Sequence, residues 1–257
     1  VRYEIMTSLR VNDPDGYSYI GARKIEVVLV ALVIRAGRIT TAEQLITEIW
    51  GDAPPQRATA ALHVYISQLR KFLNRPGKAT STIVTRSPGY LLELGDDEVD
   101  VHEFQRLVDR GQELVGTGRH AEAVAVLDRA NGMWEDPVLG DLRDGPIVSG
   151  FVGWLDEVRL RCLGLLVSAN LELGRHAQLI GFLRGLVAEH PLHEEFYRQL
   201  MLALHRCGRR AEALNVYFAA REVTLRELGL EPCRALREMQ QAILSSADEL
   251  DAESFAS

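Results

Sequence analysis

Apolar and polar positions follow two periods along this chain, and the change from one to the other marks its elements. Near the start, Tyr3-Glu4-Ile5-Met6-Thr7-Ser8-Leu9-Arg10-Val11 mixes alternation with a short apolar stretch. Asn12-Asp13-Pro14-Asp15-Gly16 then supplies turn chemistry before Tyr17-Ser18-Tyr19-Ile20, which predicts a β-hairpin. From Ala22 to Ala36 the period becomes helical: Ile25, Val28, Leu29, Leu32 and Val33 recur at i, i+3, i+4, i+7 and i+8, and Gly37 supplies the stop. A second, shorter helix carries Leu45, Ile46, Ile49 and Trp50, and its opening Thr40-Thr41-Ala42-Glu43 has the form of a capping box. Gly51-Asp52-Ala53-Pro54-Pro55 breaks the chain and restarts it, with an Asp cap and prolines in the first turn of a third helix.

That third helix, Pro54 to Leu73, organises the rest. Leu62, Ile66, Leu69 and Leu73 face a core, while Arg57, Ala60, Val64, Ser67, Gln68 and Lys71 fall on the other side. The outer side holds small, hydrogen-bonding and cationic groups and no carboxylate. An Asp or Glu there would repel phosphate, so the face permits nucleic acid. Taken alone, the same pattern also describes an ordinary solvated helix face. Its neighbours in the chain change the balance: after the loop Asn74-Arg75-Pro76-Gly77-Lys78, two β-rich runs, Thr82–Arg86 and Tyr90–Leu94, flank Ser87-Pro88-Gly89. Two strands directly after a helix-turn-helix form a wing. Arg86 at its tip is suited to a minor groove or to phosphate.

The acidic, poorly periodic Gly95-Asp96-Asp97-Glu98-Val99-Asp100 sets a domain boundary. Residues 1–95 are read as one domain, 96–245 as an all-helical second, and 246–257 as a frayed, disordered tail. In the second domain the phrase Gly-Arg-x-Ala recurs at Gly118, Gly174 and Gly208. The last two are 34 residues apart, the tetratricopeptide period, and the wider first interval holds an insertion from Trp134 through Pro146 before a helix beginning near Phe151. Each Gly allows a sharp reversal and each Ala permits close helix contact. The fold class is therefore mainly α with a small β component: a winged helix-turn-helix followed by a tetratricopeptide-like helical domain.

Charge sharpens this division. The 257 residues carry a net charge of -7, but residues 1–95 hold twelve Arg/Lys against eight Asp/Glu, and the remainder seventeen against twenty-eight. A net +4 in front and -11 behind suits a front that meets nucleic acid and a back that meets protein. No apolar run reaches membrane-spanning length and no secretory pattern opens the chain, so a cytoplasmic location without membrane contact is expected. Cys162, Cys207 and Cys233 are widely spaced with no C-x-x-C pair and read as small buried or half-buried residues. His190-Pro191-Leu192-His193-Glu194-Glu195 is the nearest approach to a metal cluster; Pro191 makes a helical pairing of the imidazoles awkward, and an interhelix loop explains it. No nucleophile elbow or phosphate-binding glycine loop occurs, so no catalytic residue, metal or cofactor is expected.

Several phrases carry a family resemblance. The order hairpin, three helices, wing, with Leu69-Arg70-Lys71 in the last helix and Thr85-Arg86-Ser87-Pro88-Gly89-Tyr90-Leu91-Leu92 in the wing, resembles the output domain of OmpR and PhoB type response regulators. Trp50-Gly51-Asp52-Ala53-Pro54-Pro55, Tyr65-Ile66-Ser67-Gln68-Leu69-Arg70 and Arg86-Ser87-Pro88-Gly89-Tyr90 are closer still to the Streptomyces antibiotic regulatory proteins. The helical part, with Trp134, Pro137, Gly208-Arg209-Arg210-Ala211-Glu212-Ala213-Leu214 and Leu228-Gly229-Leu230-Glu231-Pro232, resembles their bacterial transcriptional activation domain.

The resemblance implies a transcriptional activator of a secondary-metabolite gene cluster. It would bind directly repeated DNA sites, recruit RNA polymerase and self-associate on DNA. Val64 and Gln68 take base-reading positions, Tyr65, Arg70 and Lys71 lie near the backbone, and Arg86 is the wing arginine. Arg57, Thr59, Ala60, His63 and Ser67 complete the implied DNA-binding set. Thr59 and Ala60 stand where relatives often have Arg and Asn, and His63-Val64 replaces a commoner Gln-Thr pair, departures that bear on sequence preference. The alternative is a tetratricopeptide adaptor with weakened DNA binding.

Overall fold

A computed structural model describes residues 1–13, 16–74, 82–135 and 137–254. Pro14 and Asp15 of the first turn, loop residues 75–78 between the third helix and the wing, and Asp136 lie outside this set. In chain order the front of the molecule runs β1 (Arg2–Glu4), β2 (Arg10–Asp13), β3 (Gly16–Ser18), α1 (Arg23–Ile34), β4 (Thr40–Thr41), α2 (Ala42–Trp50), α3 (Ala58–Phe72), β5 (Ile83–Arg86), β6 (Gly89–Leu92) and β7 (Glu98–Val99). The helices that follow in the chain are α4 (Asp100–Gly116), α5 (His120–Asn131), α6 (Pro146–Glu172), α7 (His176–Glu189), α8 (Glu194–Arg206), α9 (Arg210–Leu228) and α10 (Arg234–Ser254). None of the described helices is long and apolar enough to cross a membrane.

The chain divides into two compact units, one of Val1–Asp109 with Arg129–Leu160, the other of Arg110–Asp128 with Arg161–Ser257. The first is built on two sheets. One has the order β3-β2-β1-β7, antiparallel except where β7 runs parallel to β1 with Tyr3 opposite Val99. The other has the order β4-β6-β5 and is antiparallel throughout. The expected hairpin is thus the β2–β3 pair, and β1 joins it after an intervening loop.

Helix α1 buries more than the amphipathic stripe required. Val27, Val30 and Ala31 are enclosed along with Ile25, Val28, Leu29, Leu32 and Val33, because α2, α3 and β6 all pack on this one helix. A helix apolar nearly all round is a central one. At α2 the capping box is real but uses a different partner. The Thr41 side chain accepts from Gln44 N, and Gln44 Oε1 accepts from Thr41 N, both at 3.1 Å; Glu43 takes no part.

The third helix starts at Ala58, later than the Pro54–Pro55 reading, and Asp52 does not cap it. Pro55 O accepts from Ala58 N at 2.9 Å, so the prolines shape a turn outside the helix. A proline is compatible with a helix start but equally with a turn, and its missing N–H does not choose between them.

The segment after residue 95 contributes to the same unit. Asp100 at the head of α4 is buried, and its carboxylate accepts from the N–H groups of Ile5, Met6 and Val101. The insertion between α5 and α6 is core material here: Val138, Leu139 and Leu142 are buried, and Leu139 N donates to Thr7 O. Helix α6 begins at Pro146 rather than near Phe151. Proline is favoured at a first helical position, so Gly145-Pro146 marks the start of the helix and not the end of a loop.

The second unit is a helical stack in which α8 packs against α7, α9 and α10. Its recurring phrase sets a recurring turn. Gly118, Gly174 and Gly208 have φ of 73°, 74° and 73°, and the next arginine N–H reaches back five residues to Leu114, Asn170 and Leu204 carbonyls. Only glycine adopts that left-handed conformation without strain, and the back-reaching bond closes the end of one helix before the next begins. The alanines of the phrase, Ala121, Ala177 and Ala211, are exposed, contrary to the close-contact expectation. Each is the second residue of its helix, on the outside of the first turn; Ala123, Leu179 and Ala213, two residues on, are the buried ones. Cys162 is buried and Cys207 half-buried as anticipated, but Cys233 is exposed. His190 and His193 lie against the Phe196 ring. Helix α10 runs from Arg234 to Ser254, and residues 255–257 of the stretch read as a tail lie outside the described residues.

Candidate nucleic-acid interface

Helix α3 sits on α1, α2 and β5 with Leu62, Ile66, Leu69 and Leu73 all essentially inaccessible, so the four residues read as its core face are its core face. Fixing that face fixes the opposite one. Arg57, Thr59, Ala60, His63, Val64, Ser67, Gln68 and Lys71 are exposed, and Val64 keeps 52% of its surface in water. Helix α3 contains no Asp or Glu, and its last turn carries Arg70 and Lys71. The result is a ridge of small and polar side chains with cations at both ends.

Two of the sequence-read residues have a different immediate use. Arg70 is half-buried, its Nε donates to Ile83 O at 2.9 Å and its Nη2 to Thr85 Oγ1 at 2.7 Å. This guanidinium fastens the wing strand β5 to α3. Arg70→Met is expected to speed amide exchange across Ile83–Leu92, with Lys71→Ala leaving it unchanged, as read by hydrogen–deuterium exchange; equal rates in both would remove this role. Tyr65 is also half-buried and stacks on Trp50, ring centroids 6.1 Å apart, joining α3 to α2.

The wing itself is β5 and β6 joined by Ser87 and Pro88, with Arg86 opposite Gly89 and exposed. Tyr90 is buried beneath it, and desolvation pushes its phenol above the usual range while the nearby Arg70 charge pulls it back. It is a packing residue, as read. Glycine at 89 has a steric reason. A Cβ there would stand 2.0 Å from Thr40 O and 2.6 Å from Thr41 Cα, so β6 can lie against β4 only without a side chain.

Sequence reasoning passed over Lys24 and Thr85. The Lys24 ammonium lies 5.1 Å from the centroid of the Trp50 ring, the same ring that pairs with Tyr65, and adds a cation beside the α2–α3 joint. Thr85 is exposed next to Arg86 and held by Arg70. The one available signal for Lys24 was the scarcity of lysine, since the chain has only Lys24, Lys71 and Lys78.

Comparison with known proteins agrees with this architecture. Residues 22–92 match the family described as transcriptional regulatory protein, C terminal, and residues 99–244 match the bacterial transcriptional activator domain. The regulatory protein DnrI of Streptomyces peucetius is 35% identical over 236 residues, covering 90% of this chain and 87% of DnrI. The transcriptional regulator RedD of Streptomyces coelicolor is 34% identical over 248 residues, covering 95% and 71%. Among solved structures, Mycobacterium tuberculosis EmbR, in complex with a low-affinity phosphopeptide, matches with a TM-score of 0.88 and 30% identity over 95% of this chain and 65% of the EmbR chain. With the activator domain spanning more than half of the sequence and DnrI matching along nearly all of it, the chain belongs to the Streptomyces antibiotic regulatory protein family, transcriptional regulators that join an OmpR/PhoB-type domain to a bacterial transcriptional activator domain.

Proposed function

We propose that this protein is a sequence-specific activator that lays α3 in the major groove of directly repeated DNA sites and puts Arg86 into the adjacent minor groove. In this reading Val64 and Gln68 meet base edges, Arg57, Thr59, Ala60, His63 and Ser67 line the groove, Lys71 meets phosphate, and Tyr65 and Arg70 hold the helix and wing in register. Residues 1–95 serve DNA, and residues 96–245 recruit RNA polymerase and bring two protomers together. The action is cytoplasmic, on genes of a secondary-metabolite cluster, and needs neither catalysis nor a cofactor. The observation that carries the reading is the exposed, carboxylate-free face of α3 followed by an exposed wing arginine. A duplex bears one charge per roughly 1.7 Å of axis, so cations at the ends of such a ridge add affinity and the absence of acids avoids repulsion.

The test is a gel-shift titration with promoter DNA from the genes beside its own, repeated across salt concentrations. Log affinity should fall linearly with log salt, and Arg86→Ala and Lys71→Ala should each reduce that slope by about 1. Unchanged slopes in both variants would overturn the site. Because Thr59 and Ala60 are small and neutral, failure of the unmodified protein to bind would favour the adaptor reading.

A further inference from the structure

Away from the α3 ridge, the first compact unit has a groove of about 560 Å³ walled by the C-terminal end of α1 and the first turns of α4 and α6. A second hollow of about 350 Å³ adjoins it and shares Arg35, Pro146 and Ile147. Such volumes are in the range of small-molecule sites. The lining mixes polar and apolar surface: Val33, Ile147 and Phe151 are buried, and Trp154, 41% exposed, lies in tilted contact with Phe151 at 5.8 Å between centroids. An indole left in water at the edge of a pocket is an open stacking platform.

Two guanidiniums, those of Arg35 and Arg38, line the larger groove beside His102; no carboxylate is among its lining residues, and Glu43 lines the adjoining hollow. Arg35 donates Nη1 to Gln44 Oε1 at 3.0 Å, leaving its other donors available, while the Arg38 and His102 side chains have no hydrogen bond or ion pair among the described residues. The N–H groups at the start of α6 are not free to hold an anion, because Ile147 and Val148 both donate to Glu48. Any negative ligand would therefore be met by guanidinium, whose planar fork pairs with carboxylate in two parallel hydrogen bonds.

We propose that this groove binds a small aromatic carboxylate, its ring on Trp154 and Phe151 and its acid group on Arg38 and Arg35. The buried Val33, Ile147 and Phe151, the exposed indole and the two guanidiniums each select one part of that ligand. The site is independent of the DNA-binding reading, sharing no residue with it.

The experiment is calorimetric titration of the full chain with naphthalene-2-carboxylate and its neutral isostere naphthalene-2-methanol. One saturable site is expected, with the acid bound at least about tenfold more tightly than the alcohol. Arg38→Ala should erase that preference, and Trp154→Ala should weaken both probes while circular dichroism stays unchanged. Absence of saturable binding at millimolar concentration, equal affinity for acid and alcohol, or insensitivity to Arg38→Ala would each overturn the proposal. So would sedimentation showing a dimer that Trp154→Ala dissociates, which would give the groove to a second copy, or displacement of the acid by a tighter-binding acidic aromatic peptide.

Discussion

Gly89→Ala should cost about 3 kcal/mol, at the upper end of overpacking penalties, and lower the melting temperature by roughly 10 °C. The added methyl runs into the backbone of β4: Thr40 O at 2.0 Å, Thr41 Cα at 2.6 Å and Thr40 C at 2.7 Å. A flexible side chain could swing away, but a paired strand cannot. The pairs Thr40 with Tyr90 and Thr41 with Gly89 must part, and the wing loses the strand that joins it to α2. If the proposed DNA-binding role holds, DNA affinity should fall with it, since Arg86 depends on that sheet for its position. Gly153→Ala is the matched control. It lies in α6 with nothing within 4 Å of an added Cβ, and should be neutral or slightly stabilising by helix propensity. A thermal melt of Gly89→Ala indistinguishable from the unmodified chain would contradict the close approach of β6 to β4.

Glu48→Ala should be of similar size, about 3 kcal/mol, through loss of an acceptor and not through crowding. Glu48 is 4% exposed, and its two carboxylate oxygens take the N–H groups of Ile147 at 2.6 Å and Val148 at 3.0 Å. These are first-turn donors of α6, without partners inside their own helix, and the negative charge also meets the positive end of the helix dipole. Alanine leaves both donors buried and unpaired. Glu48→Gln keeps one acceptor oxygen and should lose about half as much. Scanning calorimetry reads both, and a shift below about 2 °C for Glu48→Ala would show that water replaces the carboxylate. Gly145 belongs to the same joint, since a Cβ there would fall 2.2 Å from the Glu48 carboxylate.

Much of the α3 ridge was legible in the sequence because a helix has a fixed period. Once Leu62, Ile66, Leu69 and Leu73 are assigned to a core, Val64, Ser67, Gln68 and Lys71 have nowhere to point but outward. The two residues that acquired a second duty, Arg70 and Tyr65, lie at the edge between those faces. There the period is silent, and the neighbours that decide the matter, Ile83, Thr85 and Trp50, come from other elements.

The same distinction runs through the molecule. Local periodicity, turn chemistry and the Gly-Arg-x-Ala phrase determined the helices, the wing and the recurring glycine turns, because each is set by interactions within a few residues. Only the tertiary structure decided that Glu48 caps a helix about a hundred residues away, that Asp100 holds Ile5 and Met6, and that Gly89 is required by a neighbouring strand rather than by its own turn. A buried carboxylate and an exposed one look alike in a sequence. What separates them is which orphaned N–H groups or strand the fold brings within 3 Å.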